Sequence, residues 1–171
     1  ARKSPNVYPR LTDRVMWFNN EVAKLVRAKY PNKKLCFQAY STWSGVPTVV
    51  PPNDMLAVHA VIGDYMSNTN VCLGPMAAWS NFGVQTFWRP NLLWGFRTVA
   101  PQNFSRLLFR DLEYAKANHC VGTDFDCYYD RWSQFGVVYY ALAKAMLNPD
   151  ALSYDDVMDD YYRIAFGPAA P

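Results

Sequence analysis

From Leu11 to Ala28 the apolar residues Val15, Phe18, Val22, Leu25 and Val26 recur at helical spacing, which predicts an amphipathic helix. Thr12 or Asp13 has the chemistry of its N-cap, and Pro31 with Asn32 stops it. Leu35–Tyr40 reads as a short strand, and Ser41–Asp54 as a loop bearing Pro and Gly. Met55–Ile62 (MLAVHAVI) is almost unbroken apolar, the pattern of a central strand buried on both faces. Pro75–Asn81 predicts a short helix and Val84–Trp88 a third strand. Arg89–Ala100 reads as a long aromatic loop holding Trp94 and Phe96. Helical spacing returns from Pro101 to Ala117 through Phe104, Leu107, Leu108 and Leu112, with Pro101 at a first-turn position. Cys120–Phe125 is the fourth strand. Val137–Leu147 is an apolar helix ended by Asn148 and Pro149, and Tyr154–Phe166 is a last helix closed by Gly167 and Pro168.

Strands separated by helices imply parallel crossovers, so the expected class is α/β with four parallel strands. Four strands satisfy a small open sheet. They equally satisfy half of an eight-stranded barrel, which usually takes about 250 residues. No internal repeat and no low-complexity segment interrupts the 171 residues, which are read as a single segment. Ala1–Pro9 looks like a loop entered partway through a larger protein.

A hydrophobic fraction of 51% with 18% charged residues is globular composition. The aromatic content is high at 16%, including 6 Trp and 12 Tyr, which suits both a core and sugar stacking. Net charge is +3 and the basic residues form no stripe, which argues against nucleic acid as a partner. No apolar run is long enough to span a bilayer. Asp155, Asp156, Asp159 and Asp160 read as a solvated helix face rather than a metal site. The cysteines Cys36, Cys72, Cys120 and Cys127 form no CxxC pair, which argues against zinc. Cys36 and Cys120 fall inside predicted strands, where a buried free thiol is expected. GxSxG, GxGxxG and GxxxxGK motifs are missing, so no serine triad, nucleotide or other cofactor is expected.

Four stretches carry a family resemblance: DRVMWFNNEVAKLVRAKYPNKKLCFQAYSTW, VPPNDMLAVHAV, GTDFDCYYDRW and YYALAKAMLNPDALSYDDVMDDYYRIAFGPAA. Together they resemble a bacterial domain-of-unknown-function family found in exported polysaccharide-degrading proteins. That family is distantly similar to α-glucuronidase and β-hexosaminidase barrels. Phe18 with Asn19 or Asn20, Tyr30-Pro31, Ala39-Tyr40, Pro51-Pro52, Asn148-Pro149 and Tyr162 with Gly167 carry the likeness. The resemblance implies the C-terminal half of a (β/α)₈ barrel, a secreted or periplasmic parent, and as partners an oligosaccharide or polysaccharide and the rest of that barrel. In the related glycosidases the general acid lies near the end of the fourth strand, and this sequence begins just after that point. The two glutamates, Glu21 and Glu113, both fall in predicted helices, so the chain is expected to lack that acid.

Barrel sites form at the carboxyl ends of strands, which selects four clusters. Tyr40, Ser41, Thr42 and Trp43 follow the first strand, and Asp64 and Tyr65 the second. Trp88, Arg89, Asn91 and Trp94 follow the third, and Asp124, Asp126, Tyr128 and Tyr129 end the fourth. Asp124 and Asp126 lie two apart on one strand face, so they are the candidate catalytic carboxyls. Binding sugar hydroxyls or supporting a carboxyl elsewhere suits them better, satisfying backbone amides at a strand end is the plain alternative, and with Asp130 they lack a full calcium pattern. Asp64 needs a partner if buried, and Arg89 is the candidate, as a sugar clamp or an ordinary ion pair. Tyr40, Trp43, Asp64, Arg89, Asn91, Trp94 and Tyr128 are the candidate substrate-binding set. Trp43, Trp88, Trp94 and Trp132 are candidate stacking platforms, with core packing the alternative for each. His59 reads as a satisfied core histidine, and His119 opens a strand at the far end from the site. No residue set suggests a metal centre.

Overall fold

The computed structural model describes residues 10–62, 73–91, 103–125 and 132–171. In chain order these form α1 (Leu11–Lys29), β1 (Leu35–Ala39), β2 (Leu56–Ile62), α2 (Leu73–Asn81), β3 (Gln85–Pro90), α3 (Ser105–Ala117), β4 (Cys120–Thr123), α4 (Trp132–Leu147) and α5 (Tyr154–Phe166). The four strands make one sheet in the order β1-β2-β3-β4. Every neighbour is parallel, so the class is α/β, with the strand arrangement of half a (β/α)₈ barrel. Register puts Gln38 beside His59 and His59 beside Phe87, while the pairing of β3 with β4 is irregular between Thr86 and Trp88. β3 continues through Arg89 and Pro90, where the aromatic run suggested a loop. α4 likewise starts at Trp132, ahead of the expected Val137. α3 starts at Ser105, whose amide donates to Asn103 Oδ1 at 3.1 Å; the expected first-turn Pro101 lies outside the described residues.

The chain divides into two compact units: Ala1–Trp94 with Ala115–Cys127, and Gly95–Tyr114 with Tyr128–Pro171. In the first, α1 and α2 cover one face of the sheet. Met16 and Ala23 of α1 and Trp79 of α2 pack with Phe37, Ala39, Leu56 and Val58. Trp79 meets Phe37 edge-on at 5.5 Å, and its indole N–H donates to the Ser44 carbonyl at 2.7 Å. After α2 the chain reverses at Gly83, whose φ of 84° lies in the left-handed region that a Cβ disfavours.

The apolar pattern placed Phe18 and Leu25 on the inner face of α1, but they are 60% and 74% exposed. Polar residues orient this helix instead. Asp13, Asn20 and Arg27 recur every seven residues, an advance of about 10.5 Å for each step. Segment 48–54 runs alongside, and three extended residues cover about 10 Å, so each step meets the next piece of backbone. Asp13 Oδ1 accepts from the amides of Thr48, Val49 and Val50 at 2.9, 2.7 and 2.9 Å, and its Oδ2 accepts from the Thr48 hydroxyl at 2.9 Å. Asn20 donates to the Pro51 carbonyl and accepts from the Asn53 amide, each at 2.8 Å. Arg27 donates to Asn53 Oδ1 at 2.9 Å and pairs with Asp54. The β1–β2 crossover, a place where parallel sheets usually carry a helix, is therefore an extended strap stitched to α1. Asp13 is not the N-cap. Nor is Thr12, which like Asp13 lies inside the helix; Arg10 holds the N-cap position, with no side-chain cap bond.

In the second unit Phe135, Val138, Ala141, Leu142 and Ala145 of α4 and Val157 and Met158 of α5 are buried. Ser153 and Asp156 form a reciprocal capping box that starts α5. Asp160, read from the sequence as solvated, is held between helices. It accepts from the Tyr140 hydroxyl at 2.5 Å and pairs with Lys144 at 2.8 Å and Arg163 at 2.5 Å. Those three donors, Lys144 foremost, hold its carboxyl well below the usual range. Among the described residues no helix is long and apolar enough to cross a membrane.

Candidate functional site

Alternation along the strands separates two faces. The face with Phe37, Val58 and Trp88 is the one α1 and α2 cover. The other carries Cys36 and Gln38 from β1, His59 from β2, Gln85, Phe87 and Arg89 from β3, and Gly122 from β4. Cys36, Gln38 and Gln85 are exposed there.

Three consecutive strands converge on this second face. The Asp124 amide, at 3.2 Å, and the Thr123 hydroxyl, at 2.6 Å, both donate to the Trp88 carbonyl, which fastens the end of β4 to β3. Asp124 is thereby set beside Arg89, the next residue of β3, and Arg89 Nη1 pairs with Asp124 Oδ2. Across the carboxylate, His59 Nδ1 lies 3.2 Å from Asp124 Oδ1. That contact is an ion-pair distance without hydrogen-bond alignment, and Oδ1 is buried with no hydrogen-bond donor among the described residues. The His59 ring leans on Phe87 at 5.0 Å, and Phe87 sits over Gly122, where a Cβ would come within 3.0 Å of the ring. The Cys36 thiol is pushed up by partial burial and by the negative charge of Asp124.

Tyr40 follows β1 in extended conformation, and Trp43 comes next in a short 3-10 turn, Ser41–Trp43. The two rings meet edge-on at 6.2 Å, and the Trp43 N–H donates to the Gln38 carbonyl at 3.0 Å. This bond fixes the indole while leaving ring surface half-buried. Asn91 follows β3 and is buried. The candidates Asp64, Trp94, Asp126 and Tyr128 lie outside the described residues, as do Tyr65, Tyr129 and Asp130.

Several expectations need correction. Trp88 is a core residue, 1% exposed, and packs edge-on against Phe125 at 5.7 Å, so it offers no stacking face. Cys36 is an exposed free thiol, and Cys120 a half-buried one. Arg89 pairs with Asp124, a pairing the sequence reading did not consider, while Asp64, its expected partner, lies outside the described residues. His59 stands on the face opposite α1 and α2, part-exposed and with Asp124 as its neighbour, although its apolar strand suggested a satisfied core histidine. The sequence carried little signal for this, because His59 shares strand phase with Ala57 and Val61, which are themselves buried. His119 lies just before β4, exposed, at the amino end of the sheet.

A groove of about 590 Å³ lies at that same amino end, lined by Lys34, Pro52, Asn53, Phe82 and Val84. Its floor is strap and strand starts, away from Arg89 and Asp124. Both glutamates are helical, Glu21 paired with Lys24 at 2.6 Å on α1 and Glu113 exposed on α3. Among the described residues no three His, Cys, Asp or Glu side chains gather as a metal cage. No known protein-family model, no curated protein and no solved structure matches this chain.

Proposed function

We propose that this chain forms part of a carbohydrate-active, glycoside-hydrolase-like barrel and supplies sugar-binding subsites at the carboxyl ends of its strands. The observation that carries the reading is the meeting of His59, Arg89 and Asp124, from three neighbouring parallel strands, on the face that α1 and α2 leave uncovered. Charged and neutral hydrogen-bonding groups fixed side by side suit a polyhydroxylated ligand. Tyr40 and Trp43 add aromatic surface beyond β1, where a pyranose C–H face packs well. The remainder of the barrel is the proposed protein partner. The chain's own part is binding rather than bond cleavage, because Asp124 is engaged by Arg89 and both glutamates sit on helices. Catalysis by Asp124 with Asp126 is the rival within the same barrel.

Titration calorimetry with cellohexaose, xylohexaose, chitohexaose and a glucuronic-acid-bearing oligosaccharide tests the reading. Weak binding, on the order of millimolar, is expected for at least one, weakened about tenfold by Arg89→Met. No heat with any of the four, or binding indifferent to Arg89→Met and Asp124→Asn, would sink it.

A further inference from the structure

The pair formed by His59 and Asp124 determines which imidazole nitrogen faces a ligand. Asp124 Oδ1 is buried and accepts no hydrogen bond among the described residues, and His59 Nδ1 is 3.2 Å away. A lone pair on Nδ1 would set two acceptors face to face in a place water cannot relieve. A proton on Nδ1 makes the contact attractive, and a small turn of the ring completes the hydrogen bond. Arg89 braces the carboxylate from its other oxygen, so Asp124 cannot swing away to find a different donor. Phe87, seated over Gly122, fixes the ring from the β3 side, and Gln38 is its register neighbour on β1. Nε2 has no hydrogen-bond partner among the described residues, and the side chain is 20% exposed.

We propose that Asp124, braced by Arg89, sets His59 in the Nδ1–H form, so that the sheet presents a bare Nε2 acceptor to a hydroxyl donor. On the carbohydrate reading, on which the identity of that donor rests, His59 is a sugar-binding residue and Asp124 and Arg89 are its positioning residues. A neutral acceptor beside a carboxylate and a guanidinium matches a ring bearing several hydroxyls, each able to donate as well as accept.

The chain has 2 histidines, His59 and the exposed His119, so a two-bond ¹H–¹⁵N spectrum of the ¹⁵N-labelled full chain at pH 8 resolves both. His59 is expected to show a protonated Nδ1 and a pyridine-like Nε2, with His119 as the solvated reference. Asp124→Asn should move His59 to the pattern of His119. A wild-type His59 carrying its proton on Nε2 overturns the proposal, and that spectrum decides even if Asp124→Asn does not fold. Adding whichever of the four hexasaccharide-class probes binds should shift the His59 Nε2 resonance; binding that leaves it in place also overturns the proposal. Failure of every probe to bind removes the carbohydrate reading alone, since the tautomer is read without ligand.

Discussion

Replacing Asp13 by alanine should be among the most damaging single changes in the first unit. The carboxylate is fully buried and accepts from three successive amides and one hydroxyl of the strap. Thr48 and Val49 are exposed, so in the variant their amides recover water, each losing about 1 kcal/mol. Val50 is buried, and its orphaned amide costs about 1–3 kcal/mol. Together Asp13→Ala should destabilise by roughly 3–5 kcal/mol, and the isosteric Asp13→Asn by about half that. The pH dependence follows from the same contacts. Burial works to raise the Asp13 carboxyl, but the Val49 and Val50 amides and the Thr48 hydroxyl outweigh it, so its pKa is lowered. A lowered folded value contributes stability that is present above the ordinary carboxylate range, about pH 4, and lost as pH falls through the folded value. Urea unfolding at pH 7 and pH 3 should therefore show the gap between wild type and Asp13→Asn narrowing in acid. Hydrogen exchange gives the local check: Val49 and Val50 amides should lose protection in Asp13→Ala. A variant within 1 kcal/mol of wild type, with those amides still protected, would refute the stitched-strap account.

Gly122→Ala should cost about 1–3 kcal/mol, because the new methyl meets Phe87 at 3.0 Å, and chemical denaturation of the variant measures it. The chain alone should not hydrolyse aryl glycosides; robust turnover abolished by Asp126→Asn would instead make Asp124 and Asp126 the catalytic pair. Cys36 should alkylate slowly with iodoacetamide at pH 8, since partial burial and Asp124 raise its thiol, and Asp124→Asn should speed it. Equal rates in the two proteins would separate Cys36 from the cluster.

Local pattern carried much of the architecture. The four strands fall within a residue or two of the runs that period and β-propensity marked, and the parallel pairing of β2, β3 and β4 follows from the helices between them, whereas β1 and β2 are joined by the strap. Asn20 and Pro51, 31 residues apart, turn out to be partners across the strap, a contact no local pattern records. The face of α1 was misread because hydrophobic spacing counts side-chain size, whereas Asp13, Asn20 and Arg27 orient the helix through specific bonds to a strap 26 to 37 residues away. Trp88 was misassigned for a related reason: a strand that runs two residues longer than its apolar signal puts the indole inside.

What the sequence determined by itself was the alternation of elements and the positions at which strands end, because both rest on interactions between near neighbours. Which side chains meet at those ends was decided by register. Arg89 and Asp124 are 35 residues apart, and His59 is read as core from its own strand. Bringing them together takes the parallel pairing of β2, β3 and β4, the irregular step at Thr86 and Trp88, and the Trp88 carbonyl that holds Asp124 in place. A shift of one residue in that pairing would turn Asp124 to the opposite face, and no window of sequence records such a shift.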